Sequence, residues 1–365
     1  MSEFEIVVLP GDGIGVEVME GALAVLDAVE RRYGVRFARH QFEGGAAYYR
    51  DQGKTLEDGA FEACRNIGTI LFGAMGLPDV RYDDGTEIAP HLEMRREFGL
   101  YAGVRPVRRL PNTPSVLVDP RSADIDFVVI RESTEGLFYS RGKGVVENDE
   151  RASETMMITR PVCEKLFDFS FKLAERRQLR RKRAPRVTCV DKSNVFVAMA
   201  FFRKIFLERA AGFPNVPADC AYVDATALDL IRKPWEFDVL VMENMFGDII
   251  SDLAGGIVGG MGLAPCAEIG QEHALFQPAH GTAPDIAGTG VANPTAMLLS
   301  TAMMLDWLGQ RHSSNALTEA AVALERAVDD AYSEAIRPTE FGGRDGTREI
   351  VSAVIERLAD AGRAA

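Results

Sequence analysis

Phe237-Asp-Val-Leu-Val-Met242 is followed, after three residues, by Phe246-Gly-Asp-Ile-Ile-Ser-Asp-Leu253, and the periodicity changes between the two. The first run is short, apolar and rich in valine, which fits a buried strand. In the second, apolar residues recur at helical spacing, so the pair reads as a strand feeding a helix. The same alternation extends in both directions along the chain. Strand-like runs lie at 5–9, 69–72, 127–130 and 186–190, and helical periodicity at 16–32, 161–181, 198–210 and 249–256. Beyond residue 294 the pattern is helical only, near 295–309, 316–337 and 346–361, with Gly342-Gly343 separating the last two. Such alternation predicts an α/β fold, its sheets covered on both faces by helices. No repeat or low-complexity linker divides the chain, so on pattern alone it reads as one continuous domain.

Within the helix, Asp248 and Asp252 are spaced i, i+4, which stacks two carboxylates one turn apart on a single face. They are either two solvated side chains or ligands sharing a hard divalent cation such as Mg²⁺ or Mn²⁺, which prefers oxygen donors. Three other segments bear on the choice. Val190-Asp-Lys-Ser-Asn-Val195 places Lys192 at a strand end, where a nearby cation would make it a candidate general base. Tyr222-Val-Asp-Ala-Thr226 offers Asp224 as a third carboxylate. Arg95, Arg105 and Arg131 supply guanidinium forks suited to bidentate binding of carboxylates. Together these groups describe a site for a hydroxy di-acid.

Bulk properties narrow the function further. The 365 residues carry a net charge of −13, with 47% hydrophobic and 26% charged residues. That composition is globular, and the acidic balance argues against nucleic acid and anionic membrane as partners. The basic run at 176–183 closes a helical segment, where cations complement the helix dipole. The five cysteines, Cys64, Cys163, Cys189, Cys220 and Cys266, show no C-x-x-C spacing. This fits a reducing, cytoplasmic setting without a disulfide or zinc framework. A strand-like run begins almost at the first residue, and no apolar stretch reaches the roughly 18 residues of a membrane span.

Gly11-Asp-Gly-Ile-Gly15 has G-x-G-x-G spacing rather than a dinucleotide fingerprint, and reads at least as well as a tight strand-to-helix turn. The stronger cofactor candidate is His280-Gly-Thr-Ala-Pro-Asp-Ile-Ala-Gly288 with Asn293. Backbone amides around Gly281 can approach a cofactor, His280 can stack or hydrogen-bond, and Asp285 can accept from both hydroxyls of a ribose. A carboxylate there would repel a 2′-phosphate, which favours NAD over NADP.

In order and spacing, these segments resemble the metal-dependent β-decarboxylating dehydrogenases, among them the isopropylmalate, isocitrate, homoisocitrate and tartrate/D-malate enzymes. The resemblance covers residues from about 4 to about 360. It implies two domains: a discontinuous, cofactor-side domain of residues 1–104 and 258–365, and a dimerisation and metal/substrate domain of residues 105–257. It also implies a β arm within 139–160 that clasps a partner, and hence a homodimer. The metal would be held by Asp248 and Asp252 of one subunit and Asp224 of its partner. Lys192 would act as base from across the interface, Arg95, Arg105 and Arg131 would clamp the substrate, and His280, Gly281, Ala283, Asp285, Ile286 and Asn293 would bind NAD. In NADP-using members lysine and tyrosine tend to replace the Asp285-Ile286 pair. Gln277 stands where glutamate is usual.

The resemblance also predicts which residues face the substituent at C3 of a (2R)-malate-type substrate: Ile88, Ala89, His91, Leu92 and Val195. Ala89 and His91 replace the serine and asparagine usual in isocitrate enzymes. His91-Leu92 keeps half of the leucine pair usual in isopropylmalate enzymes, and the wording around Arg95 and Arg105 leans toward the tartrate/D-malate branch. Isopropylmalate-like and tartrate- or malate-like substrates therefore stand level. The usual proton-donating tyrosine, seven residues after Arg131, is Phe138 here. Either Phe138 faces the site and slows reprotonation of the decarboxylated product, or a local shift brings in Tyr139 as the donor.

Overall fold

The computed structural model describes residues 2–181, 184–334 and 336–360. Twelve strands and eleven α-helices alternate through them. The strands are β1 (Ser2–Gly11), β2 (Val35–Gln41), β3 (Thr69–Ala74), β4 (Ala102–Arg108), β5 (Asp126–Glu132), β6 (Val145–Glu147), β7 (Arg151–Ser153), β8 (Val187–Asp191), β9 (Ala218–Tyr222), β10 (Val239–Met242), β11 (Pro265–Ile269) and β12 (Ala274–Pro278). The helices are α1 (Ile14–Tyr33), α2 (Ala46–Gln52), α3 (Ala60–Ile67), α4 (Pro90–Glu97), α5 (Arg160–Arg181), α6 (Val197–Ala210), α7 (Val223–Arg232), α8 (Asn244–Val258), α9 (Thr295–Arg311), α10 (Asn315–Glu334) and α11 (Thr347–Asp360).

Ten strands form one mixed sheet in the order β2-β1-β3-β12-β11-β4-β5-β10-β8-β9. Parallel pairing holds from β2 to β12 and again from β5 to β9, as expected where helices cover both faces. Between these blocks β12, β11, β4 and β5 pair antiparallel, so the parallel halves run in opposite directions across a central seam. The inner strands are covered on both faces: every residue of β3, β8, β10, β11 and β12 is buried. On α1, the buried Ile14, Val18, Met19, Ala22, Val25, Leu26 and Val29 follow helical spacing, and Gly34 ends the helix in the left-handed conformation.

Strands from 1–104 and 258–365 lie on one side of the seam, those from 105–257 on the other, and β4 spans the expected boundary. β6 and β7 form a separate two-stranded antiparallel ribbon within residues 139–160. Its Val145 and Val146 are exposed. Among the described residues no helix is long and apolar enough to cross a membrane.

The glycine-rich segment 11–15 is a turn held by its aspartate. Asp12, 3% exposed, accepts the amides of Ala46 (2.7 Å), Ala47 (2.9 Å) and Gly76 (2.9 Å). Gly11 and Gly13 take positive φ, and a Cβ on either would meet a carbonyl oxygen at about 2 Å, Ala74 for one and Thr282 for the other. The glycines therefore admit close backbone approach, and the carboxylate secures three chain segments at once.

Candidate active site

A cleft of about 270 Å³ opens over the antiparallel seam. Phe72–Met75 at the end of β3, Arg105 of β4, Arg131 of β5 and Gln277 and Pro278 of β12 form its floor, and His91, Leu92 and Arg95 of α4 enter from the side. α8 brings Asp248 and Asp252, and Phe138, Glu87 and residues 279–281 complete the lining.

α8 follows β10 directly. Glu243 caps it, accepting the amide of Phe246, and also accepts that of Leu137, which fixes the segment carrying Phe138. Gly247 lets the helix lie against β5, because a Cβ there would meet Arg131 Cβ at 2.6 Å. This contact joins Asp248 to Arg131 in an ion pair, while Arg131 Nε donates to Asn244 Oδ1 at 2.8 Å. The carboxylates of Asp248 and Asp252 share the cleft. Burial raises Asp252 above the usual carboxylate range, with Arg105 opposing the rise and Asp248 adding to it. Two repelling acids a turn apart on a cleft wall fit a hard cation. Among the described residues, however, no three acidic, histidine or cysteine side chains converge on one point.

All three arginines are buried, with exposures of 5% at Arg95, 7% at Arg105 and 2% at Arg131. Register brings Arg105 and Arg131 together, while Arg95 reaches them from α4: Arg131 stands opposite Gly103, which stands opposite Glu268. Directly opposed residues share a sheet face, as do residues two apart on one strand, so Arg105 joins them. Glu268, which the sequence reading did not single out, is wholly buried and pairs with Arg95 at 2.7 Å, with Arg105 at 3.9 Å. Burial pushes its carboxyl up, but Arg95, Arg105 and Arg131 outweigh that and hold it at about 2. Arg131 is lowered to about 10 by burial and by the neighbouring arginines.

Among the residues expected to face a C3 substituent, His91 and Leu92 line the cleft, whereas Ile88 and Ala89 are buried beside it. Burial, then Arg95, lowers His91 to about 3, so it is neutral, and its ring packs edge-on against Phe72. Val195 lies outside the lining and is exposed.

Phe138 lines the cleft with the Arg131 guanidinium 5.1 Å from its ring centre. Tyr139 is outside the lining, 42% exposed, with Lys143 over its ring. Of the two alternatives, the single chain brings Phe138 rather than Tyr139 to the cleft. Both residues lie within the 3₁₀ turn Leu137–Ser140 rather than on a strand, and only Phe138 lines the cleft.

Of the expected cofactor residues, His280 and Gly281 line the cleft. Burial lowers His280, whose Nδ1 contacts the Gly281 carbonyl at 2.8 Å. Ala283, Asp285 and Ile286 are exposed and outside the lining, and Ala283 takes a left-handed conformation (φ 37°) that is uncommon before proline. Glu17 anchors this loop through the amides of Gly288 and Ala292. The side chain of Asn293 is occupied internally by Glu340, Tyr332 and the Thr295 amide, which leaves its backbone for any cofactor contact.

Lys192 and Asp224 lie together, ion-paired, but apart from the cleft lining. The Lys192 hydrogen bond holds the Asp224 carboxyl below its ordinary range. On the segments that carry and flank them, Phe196, Val197, Leu207, Leu228 and Ile231 are exposed, as is Ile249 beside Asp248, with Arg203, Lys204 and Glu208 interspersed.

The isocitrate/isopropylmalate dehydrogenase family profile matches residues 5–354. A 3-isopropylmalate dehydrogenase from Methanothermobacter thermautotrophicus is 37% identical over 361 residues, which cover 99% of this chain and 100% of the relative. The crystal structure of isocitrate dehydrogenase from Methylococcus capsulatus superposes with a TM-score of 0.84 at 32% identity, covering 97% of this chain and 99% of that one. An apo β-decarboxylating dehydrogenase from Thermococcus kodakarensis gives 0.78 at 35% identity, covering 98% and 96%.

Proposed function

Since the chain belongs to the isocitrate/isopropylmalate dehydrogenase family and is an oxidoreductase of its decarboxylating class, we propose that it oxidises a (2R)-malate-type 2-hydroxy di-acid with NAD, aided by Mg²⁺ or Mn²⁺. The observation that carries this reading is the cleft itself, in which three buried arginines and two aspartates one helical turn apart face the same space.

Arg95, Arg105 and Arg131 would bind the substrate carboxylates and hold C2 in a reacting geometry. Asp248 and Asp252, with Asp224 of the partner subunit, would hold the cation, which when bound acidifies the substrate hydroxyl. Lys192 of the partner subunit would take that hydroxyl proton. Asp285 would hold the adenosine ribose of NAD, which when bound accepts the hydride, and the cofactor's remaining contacts would run along His280, Gly281, Ala283, Ile286 and the Asn293 backbone. The Lys192–Asp224 pair lies away from the cleft of its own chain, on segments with several exposed large apolar side chains, which supports a homodimer with sites shared between subunits. We also read the two sides of the sheet seam as two lobes, residues 1–104 with 258–365, and residues 105–257.

His91 and Leu92 at the cleft edge suit either an isopropylmalate-like or a tartrate/D-malate-like substituent. A second reading, oxidation without efficient decarboxylation, is favoured by Phe138: its ring lines the cleft and has no proton to give.

The test is a spectrophotometric screen of 2-hydroxy di-acids with NAD and Mn²⁺. NADH formation that requires added metal, with a raised Mn²⁺ requirement in Asp252→Asn, supports the proposal. Turnover in excess chelator, with wild-type rates in Asp252→Asn, would sink the metal assignment.

A further inference from the structure

Glu268 contributes a full negative charge directly behind the arginines that face substrate. It lies on the central strand β11, is 0% exposed, and does not line the cleft. Space for its carboxylate comes from Gly103 opposite, where a Cβ would meet Glu268 Oε2 at 3.0 Å and Ser133 Oγ at 2.7 Å. The other carboxylate oxygen, Oε1, pairs with Arg95 at 2.7 Å and lies 3.9 Å from Arg105. A buried acid so placed does two things. It fixes the orientation of Arg95, and it removes one unit of positive charge from a clamp that would otherwise carry three.

The charges around the cleft then balance. Arg95, Arg105 and Arg131 are matched by Asp248, Asp252 and Glu268, while Glu87 is offset by Arg81 at 3.9 Å and the partner subunit's Lys192 and Asp224 would offset each other, so a divalent cation leaves the site doubly positive, complementary to a substrate with two carboxylates. A third carboxylate would be in excess. Replacing Glu268 by a neutral group would make the site triply positive. We infer that Glu268 is a positioning and specificity-determining residue, which sets the arginine clamp for a dicarboxylate against a tricarboxylate. This inference rests on the function proposed above and extends it to substrate charge.

One unit charge a few ångströms from the extra carboxylate, at the effective dielectric of a partly buried site, is worth about tenfold or more in binding. The experiment compares wild type with Glu268→Gln, nearly identical in shape. With NAD and Mn²⁺, the ratio of kcat/KM for (2R)-malate to that for isocitrate is expected to fall at least tenfold in the variant. A ratio within threefold of wild type, in a variant with unchanged circular dichroism, overturns the inference. A direct binding arm uses metal-free protein and the unreactive acids succinate and tricarballylate, read by thermal shift. Wild type is expected to bind tricarballylate no more tightly than succinate, and Glu268→Gln to bind it at least tenfold more tightly than wild type does. Metal-free wild type that prefers tricarballylate overturns the inference even if the variant does not fold. If wild type turns over no hydroxy di-acid with any metal, the parent proposal fails, while the binding arm still decides the role of Glu268.

Discussion

Replacing Asp12 tests whether one carboxylate organises the cofactor side of the cleft. Its two oxygens accept three amides, from Ala46, Ala47 and Gly76, at 2.7–2.9 Å, and the side chain is nearly inaccessible. Hydrogen bonds to a charged group contribute about 1.5–3 kcal/mol each, and stranded buried amides add a desolvation cost. Even at the lower figure, Asp12→Ala should lose about 4 kcal/mol, among the larger single-residue effects. Asp12→Asn keeps one accepting oxygen but turns an N–H toward a donor, so its loss should be smaller, about 2 kcal/mol. Function should follow the same order. Gly76 receives the Thr282 hydroxyl through its carbonyl at 2.6 Å, and Thr282 receives the Ile14 amide at 2.8 Å. Freed Gly76 therefore loosens the 279–290 loop, which should raise KM for NAD more than it lowers kcat. Urea unfolding with a common slope, followed by steady-state kinetics, measures both effects. Equal stability of wild type and Asp12→Ala, or a kcat loss with unchanged KM for NAD, would refute the reasoning.

Four further outcomes follow from the geometry. Asp285→Lys with Ile286→Tyr should move cofactor preference toward NADP, by about 1–3 kcal/mol in the specificity ratio; a wild-type enzyme that already prefers NADP contradicts the cofactor assignment. Mixing inactive Lys192→Ala with inactive Asp248→Asn subunits should restore activity, since both lesions fall in one of the two shared sites; no recovery after confirmed subunit exchange means the site is built within one chain. Phe138→Tyr should raise the yield of CO₂ per NADH while Tyr139→Phe leaves it unchanged, and the reverse pattern would make Tyr139 the donor. Because burial keeps His91 neutral down to about 3, the unfolded chain takes up near pH 6.5 a proton that the fold refuses. That contribution is intact above about 6.5 and is lost as pH falls toward 3, by up to about 1.4 kcal/mol per unit. Denaturant titrations should therefore show a shallower acid decline for His91→Leu, and parallel curves would contradict it.

What the sequence made legible was local. Strand-to-helix alternation, the Asp248–Asp252 spacing and the three C-terminal helices depend on residues within a turn or a strand of one another, and each appears where expected. β11 and β12 escaped notice because Pro265-Cys-Ala-Glu-Ile269 and Ala274-Leu-Phe-Gln-Pro278 are short, lack β-branched runs and place a charge or an amide inside a buried strand. Glu268 escaped for the same reason: its presence in a core strand makes sense only beside Arg95 and Arg105, more than 150 residues earlier in the chain. Asn293 shows the opposite case. A polar residue beside a cofactor loop reads as a ligand, yet its amide is committed to Glu340, Tyr332 and Thr295.

The seam of the sheet carries the rest of the site, and register is what makes it work. Arg131, Gly103 and Glu268 face one another across β5, β4 and β11, and Arg105 follows two residues beyond Gly103. A slip of one residue in β4 would turn Arg105 to the opposite face and set Pro106 and Val104 toward the cleft, because successive side chains alternate. Antiparallel pairing on both sides of β4 opposes that slip, and the requirement for glycine opposite Glu268 adds to it: any larger residue carried into that position would meet the carboxylate and the Ser133 hydroxyl. The arginine cluster is therefore fixed by backbone pairing and by one missing side chain, before α8 adds its two aspartates through the equally close contact at Gly247. Charges that would repel or strand one another in a looser frame are held at short range here because both glycines let backbone and carboxylate approach them.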